Sequence, residues 1–349
     1  MAFVPGRNRP FGGQTQLRRS GALSRRAGRA ILARRPAARG AAHIQSTRRS
    51  QTLPTRPDPL PADPPADLIA RLRRHRILPG APRPVALAGG RTNRVWRLRG
   101  ELYDFVLKLY DAGAATPLFA NDPVREAACL AALCAQGLAP APVAGDPQAE
   151  TPWILYRHLP GARWVQGPAA VARLLARVHA HPPPPGLPAA PGGSAALSRQ
   201  TLEILSLCRS GQADDLRLLE PPGTVAAAGR TRLLHGDPVP GNIVVQGTRA
   251  TLIDWQCPAL GDPVEDLALF TSPAMQLIYR GAPLSHAETD AFLTAYPDRT
   301  VVARYHALRP WHHWRMAAYC LYQAARGRPG YAEGLDLERA ALSAQSPAR

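Results

Sequence analysis

The hydrophobic pattern changes character near residue 160. From Leu68 the run DLIARLRRHRIL spaces its apolar positions by three and four, which predicts a helix with Asp67 as its N-cap. PVALAGG, NRVWRLRG and YDFVLKLYD then read as three short strands parted by turn residues, an antiparallel meander. NDPVREAACLAALCAQG returns to helical spacing and closes at Gly137, and TPWILYRHLPG is a further strand running into a Pro-Gly turn. Beyond it the spacing is helical in PAAVARLLARVHAH, AALSRQTLEILSLCRS, PVEDLALFTSPAMQLIYRG and ARYHALRPWHHWRMAAYCLYQAARG. Only NIVVQG and ATLIDWQ read as strands there, and HPPPPGLPAAPGGS is a loop by composition. The prediction is an α+β chain, a small antiparallel β lobe followed by a mainly helical large lobe.

Composition divides the chain further. Residues 1–57 hold thirteen arginines and no acidic residue, so the remaining 292 residues carry only +5 of the formal +18. The body is therefore not a basic nucleic-acid binder. The first 57 residues lack periodic apolar positions and predict a disordered basic arm or a targeting segment. The prolines of residues 58–67 mark a linker. A nucleotide-binding lobe over 68–158 and a catalytic and substrate lobe over 159–345 complete the expected organisation. Five cysteines form no CxxC pair and no zinc spacing with histidine. No apolar run reaches the roughly eighteen residues that would span a bilayer. The expectation is a cytoplasmic protein, or an organellar one if the arm is a transit peptide.

Of 43 Lys and Arg residues only Lys108 is lysine, and it sits inside the apolar run DFVLKLYD. Arginine use elsewhere reads as codon habit, so one retained lysine on a predicted strand calls for a reason. A guanidinium is broad and planar and cannot stand in for a compact ammonium in a shaped site. LLHGDPVPGNIVV gathers His235, Gly236, Asp237 and Asn242 in one tight loop, and Asp254 follows in TLIDWQ. If these two segments form a hairpin, Asn242 and Asp254 lie side by side and can share a metal. A kinase needs a carboxylate at the incoming hydroxyl, an amide oxygen and a second carboxylate on Mg²⁺, and a cation on the nucleotide phosphates. Asp237, Asn242, Asp254 and Lys108 supply these four, and oxygen ligands suit Mg²⁺.

At these motifs the sequence resembles the aminoglycoside phosphotransferase and choline kinase superfamily, whose fold is the two-lobed protein-kinase-like fold. The resemblance covers residues 68–330, with HGDPVPGN for the family's HGDxxxxN and an unchanged IDW. GGxTN, at Gly89, Gly90, Thr92 and Asn93, is similar to the glycine-bearing turn of choline and thiamine kinase-like members. The resemblance implies ATP and Mg²⁺ as cofactors, Glu126 as ion partner of Lys108, and Asp266 as the aspartate that steadies the catalytic loop. His235 braces that loop, Asp262 caps the following helix, and Tyr156 to His158 occupy the interlobe hinge. Trp311, Trp314 and Tyr322, with Tyr319 beside them, form a helical stripe. In the choline kinase style it would hold a cationic alcohol such as choline, ethanolamine or thiamine by cation–π attraction. An aminoglycoside or sugar-alcohol acceptor is the alternative, and a kinase-like nucleotide-binding protein is the non-enzymatic one.

Overall fold

The computed structural model describes residues 63–87 and 92–344. The expected arm, most of the proline linker, Gly89 and Gly90, and residue 345 lie outside the described residues. Helix α1 spans Ala66–Arg74 and so takes in the last residues assigned to the linker. Its N-cap is Pro65, not Asp67. Asp67 sits in the first turn instead, where its charge favours the positive end of the helix dipole.

Strands β1 (Arg83–Ala86), β2 (Arg94–Arg99), β3 (Asp104–Leu109), β4 (Pro142–Asp146) and β5 (Trp153–Arg157) form one antiparallel sheet in the order β1-β2-β3-β5-β4. Both faces of β3 are covered, so apolar side chains stand at successive positions from Phe105 to Leu107 instead of alternating with polar ones. Phe105, Leu107 and Leu109 pack with Leu68 and Leu72 of α1, whereas Val106 and Tyr110 pack with Cys129 and Leu130 of helix α2 (Pro123–Leu133). Lys108 shares the parity of Val106 and Tyr110, and its register partners are Val95 on β2 and Ile154 on β5. Asp122 caps α2 by accepting from Arg125 N at 3.0 Å, and Gly137 ends the segment in a left-handed conformation, as its position predicts.

Strand β6 (Ala162–Arg163) leads into α3 (Pro168–Ala180), α4 (Gly193–Ser206) and α5 (Gly211–Arg217). Strands β7 (Arg232–Leu234), β8 (Ile243–Gln246), β9 (Arg249–Leu252) and β10 (Ala259–Gly261) follow, and β6, β8 and β9 form a second sheet. Then come α6 (Val264–Thr271), α7 (Pro273–Arg280), α8 (His286–Ala295), α9 (Arg299–Ala324) and α10 (Tyr331–Ser343). The stretch predicted as one helix over 263–281 is thus two. Ser272 turns extended and caps α7 through Met275 N, and Pro273 has no N–H to continue the ladder. The proline loop between α3 and α4 is pinned to β10 by Ala190 N to Leu260 O and Leu260 N to Pro188 O, both 2.8 Å.

Candidate active site

Two short antiparallel pairs hold the site. Strand β7 pairs with β10, Leu234 opposite Ala259, and fixes the entry to the catalytic loop; β8 pairs with β9, Ile243 opposite Leu252, and fixes its exit. Gly236 between them has φ +80, and a Cβ there would meet Cys257 O at 2.0 Å. Only glycine fits that turn.

Asp266, in the first turn of α6 and fully buried, takes backbone hydrogen bonds from His235 N (2.8 Å) and Gly236 N (2.9 Å), and its Oδ2 lies 3.0 Å from His179 Nε2 on α3. Burial would raise its pKa, but these bonds outweigh burial and hold the carboxyl below the usual range. His235 donates from Nε2 to Ile253 O (3.0 Å), and its Nδ1 accepts from Asp237 N (3.2 Å). Burial pushes its pKa down, so it braces the loop as a neutral ring.

Asn242 Nδ2 donates to Asp237 O (2.9 Å) and Asp237 Oδ2 (3.1 Å), which turns its Oδ1 away from the loop. Asp254 lies two residues past the end of β9, not on the strand as expected, with φ +65. Ile253 N bonds Asn242 O at 2.9 Å, so Asn242 and Asp254 stand at adjoining strand ends. Asp254 Oδ1 accepts from Lys108 Nζ, which also donates to Glu126 Oε2 at 2.6 Å. Tyr110 OH donates to the same Glu126 oxygen. Burial alone would lower the Lys108 pKa, but Asp254 and Glu126 drive it up and keep the ammonium charged. Burial, then the charge of Asp254, pushes Asp237 up to about 8.

These groups fit a hard divalent cation. Among the described residues Asn242 Oδ1 and Asp254 Oδ2 have no hydrogen-bond partner, and both are oxygen donors, the set that Mg²⁺ accepts together with phosphate oxygens and water. Among the described residues no trio of His, Cys, Asp or Glu surrounds a metal position, so a cation here depends on the bound phosphates as well. For a nucleotide, Lys108 is the buried cation beside those oxygens.

Several expected positions have other surroundings. Asn93 is buried, and its amide is spent on Asn121 (2.8 and 2.9 Å), Gln256 (2.7 Å) and Asp111 N (3.1 Å), while Thr92 Oγ1 accepts from Gln256 Nε2 at 3.2 Å. Both brace the turn rather than present free groups. Trp314 is fully buried and donates to Leu216 O at 2.6 Å, and Trp311 lies in the main core. The stripe is core because α9 is covered by α4, α6 and α10. Tyr322 is half-buried, and the Arg326 guanidinium already stands 3.5 Å over its ring. Asp262 bonds Val264 N at 3.1 Å and pairs with Arg304. At the hinge, the N–H groups of Arg157 and His158 go to Ala141 O and Asp104 O.

Gln256, Asn121 and His179 were not foreseen. Their partners are 10 to 164 residues away in sequence, and no short motif carries them. A cavity of about 160 Å³ opens beside Gly236 and Asp266, lined also by Phe119, Gln200, Glu265 and Arg315.

A carboxylate on a braced loop, beside an amide oxygen, a second carboxylate and a buried ammonium, can serve phosphoryl transfer, and the two-part α+β fold is that of protein-kinase-like enzymes. Residues 83–311 match the model of the phosphotransferase enzyme family, and the chain belongs to that family. It is a phosphotransferase. A choline/ethanolamine kinase family protein from Mesorhizobium loti matches with a TM-score of 0.54 at 17% identity, over 80% of this chain and 95% of that one. A choline kinase from Cryptosporidium parvum Iowa II matches at 0.52 and 11% identity, over 80% and 96%. Amicoumacin kinase hAmiN, solved with AMP-PNP, Ca²⁺ and Ami, matches at 0.51 and 15% identity, over 80% and 93%. A search of curated proteins returned no match. Among the described residues no helix is long and apolar enough to cross a membrane.

Proposed function

We propose that the chain is an ATP- and Mg²⁺-dependent kinase that phosphorylates the hydroxyl of a small alcohol. The observation that carries the reading is Lys108 held between Glu126 and Asp254, with Asp237 tied to Asn242 next to them. The acceptor hydroxyl gives its proton to Asp237 as its oxygen bonds to the γ-phosphorus. The bond from that phosphorus to the bridging oxygen breaks, and ADP and a phosphomonoester leave. Mg²⁺, when bound at Asn242 and Asp254, neutralises charge on the phosphates. Lys108 fixes their position, and Asp266 with His235 keeps Asp237 from swinging away. AMP-PNP and Ca²⁺ in the amicoumacin kinase support a nucleotide and a divalent ion here.

The cationic acceptor of the choline, ethanolamine or thiamine class rested on an aromatic wall. With Trp311 and Trp314 in the core, that reading keeps only the GGxTN turn and the choline kinase relatives. An aminoglycoside would need unpaired carboxylates, whereas in the cavity Glu265 is paired with Arg315 and Asp266 is spent on its three partners. The test is ADP release, with phosphorylated product identified by mass, across a panel of small alcohols with and without Mg²⁺. Release that persists without divalent ion, or in Asp237→Asn, would overturn the reading.

A further inference from the structure

Asn242 ends a single 3₁₀ turn, Pro240–Asn242, and the residues on both sides of it lead to the same element, the last turn of α7. On the near side is Gly241. A Cβ there would lie 2.7 Å from Tyr279 Cδ1 and 3.2 Å from Tyr279 Cε1, so the ring edge takes up the space that a side chain would fill. Gly241 does not have a positive φ, so glycine serves the close approach here and not a turn conformation. On the far side, Ile243 O accepts from Trp164 N at 2.9 Å, and the guanidinium of Arg280, next in the chain to Tyr279, stands 5.7 Å from the Trp164 ring centroid. Two neighbouring residues of α7 thus bracket the peptide that carries Asn242.

Helix α7 is fixed at both ends. At its start, the buried Glu338 of α10 accepts from Ser272 Oγ and from Ala274 N (3.2 Å), and its other oxygen lies 2.6 Å from His313 Nδ1 on α9. At its end, Arg280 donates to Glu288 Oε1 (2.7 Å) and to Pro283 O. Tyr279 is half-buried and packs on the apolar cluster that includes Val239, three residues before Asn242. Held in this way, the ring is a fixed stop for the loop.

The Asn242 amide is tied through Nδ2 to Asp237 O and Oδ2, which aims its Oδ1. How far the turn reaches toward the metal is left to its backbone, and that backbone rests on Tyr279. Mg²⁺ takes oxygens at about 2.0–2.1 Å in near-ideal octahedral geometry, so a shift of the turn by more than about 0.2 Å is felt as lost affinity.

Resting on the kinase reading above, we propose that Tyr279 is a positioning residue for the divalent ion, whose ring sets, through Gly241, where Asn242 presents Oδ1. The contact is made by the ring edge, so the hydroxyl takes no part in it.

The experiment titrates AMP-PNP into the full chain by calorimetry, once with Mg²⁺ and once with EDTA, and needs neither acceptor nor turnover. The parent should bind more tightly with Mg²⁺. Tyr279→Ala should lose most of that gain, a fall of up to about tenfold, as when support behind a metal ligand is removed. Its affinity in EDTA should stay within about twofold of the parent's. Tyr279→Phe keeps the ring edge and should match the parent within about twofold in both conditions. A merely structural role would lower the urea midpoint of Tyr279→Ala and leave the Mg²⁺ gain of the folded protein intact, and that result overturns the proposal. So does an equal loss with and without Mg²⁺, or a loss in Tyr279→Phe as large as in Tyr279→Ala. If Tyr279→Ala fails to fold, Tyr279→Val, whose side chain stops short of Cδ1, is judged by the same outcomes. The kinase reading fails separately, as a parent that gains nothing from Mg²⁺ or keeps its gain in Asn242→Ala, and the positioning role falls with it.

Discussion

Lys108 Nζ donates to Glu126 Oε2 across 2.6 Å, and the two side chains are 3% and 1% exposed. One comes from the centre of the first sheet and the other from the helix behind it, so the pair fixes α2 against β3 at the depth of the site. Breaking a buried pair from one side costs about 3–5 kcal/mol, because the other charge is left alone. The pair therefore sets both the position of the ammonium and the integrity of the lobe.

Lys108→Arg tests shape against charge. The guanidinium keeps the charge but needs more width than the space between Glu126 and Asp254 provides. Turnover should fall below about a tenth of the parent's, since misplaced positioning groups cost at least that much. Mg-ATP affinity measured by titration should fall in the same variant, and an unchanged affinity would place Lys108 outside the nucleotide site.

Asp237→Asn keeps the bond geometry to Asn242 and removes the proton acceptor. Transfer should drop about 10²–10⁴-fold with nucleotide affinity nearly unchanged, the range expected for loss of a general base. Parallel kinetics and nucleotide titration check this. A matching loss of nucleotide affinity would mean that Asp237 serves the phosphates.

Trp314→Phe separates core from substrate wall. It removes the donor to Leu216 O inside the helical core and should cost about 1–3 kcal/mol by urea denaturation. The acceptor KM should stay within about twofold, since uniform binding is untouched. A raised KM at unchanged stability would return Trp314 to the substrate site.

Glu288 gives a pH signature on the surface of the helical part. Its bond to Arg280, then the capping bond from Ser285 N, holds its pKa down to about 2 from the ordinary 4.5. A lowered folded-state value means stability present above the unfolded pKa and lost as pH falls from about 4.5 toward 2. Solvent reaches the pair, so Glu288→Gln should cost roughly 1 kcal/mol or less near pH 7. The gap in urea midpoint between parent and variant should narrow at pH 3.5. A gap that widens on acidification would contradict the assignment.

Legibility followed locality. The meander, the helix closed by Gly137 and the β8–β9 hairpin were readable because turn residues and apolar spacing are local signals. HGDPVPGN and IDW pointed to the candidate site because one loop and one hairpin hold Asp237, Asn242 and Asp254 within eighteen residues. Strands β7 and β10 were not readable, since each is three residues long and exists only through the other. Helix α8 was missed although Ser285 and Glu288 form a capping box, a signal that was there to be used. The aromatic stripe on α9 was legible as a stripe, but helical spacing says which residues share a face and not what covers it. The cavity lining of Gln200, Glu265 and Arg315 assembles from three helices and leaves no trace in any one of them.

The side chain of Gln256 joins Thr92 and Asn93 ahead of β2, and its carbonyl accepts from Asp122 N at the start of α2, two residues downstream of the metal carboxylate. If nucleotide and divalent ion bind as proposed, Gln256 ties the strand turn to the segment that carries Asp254, and each ligand should sense the other through it. By reciprocity, whatever factor Mg²⁺ adds to nucleotide affinity, nucleotide adds to Mg²⁺ affinity. Gln256→Ala should leave each isolated affinity within about threefold while lowering that shared factor, so the residue's contribution is visible only when both ligands are titrated together.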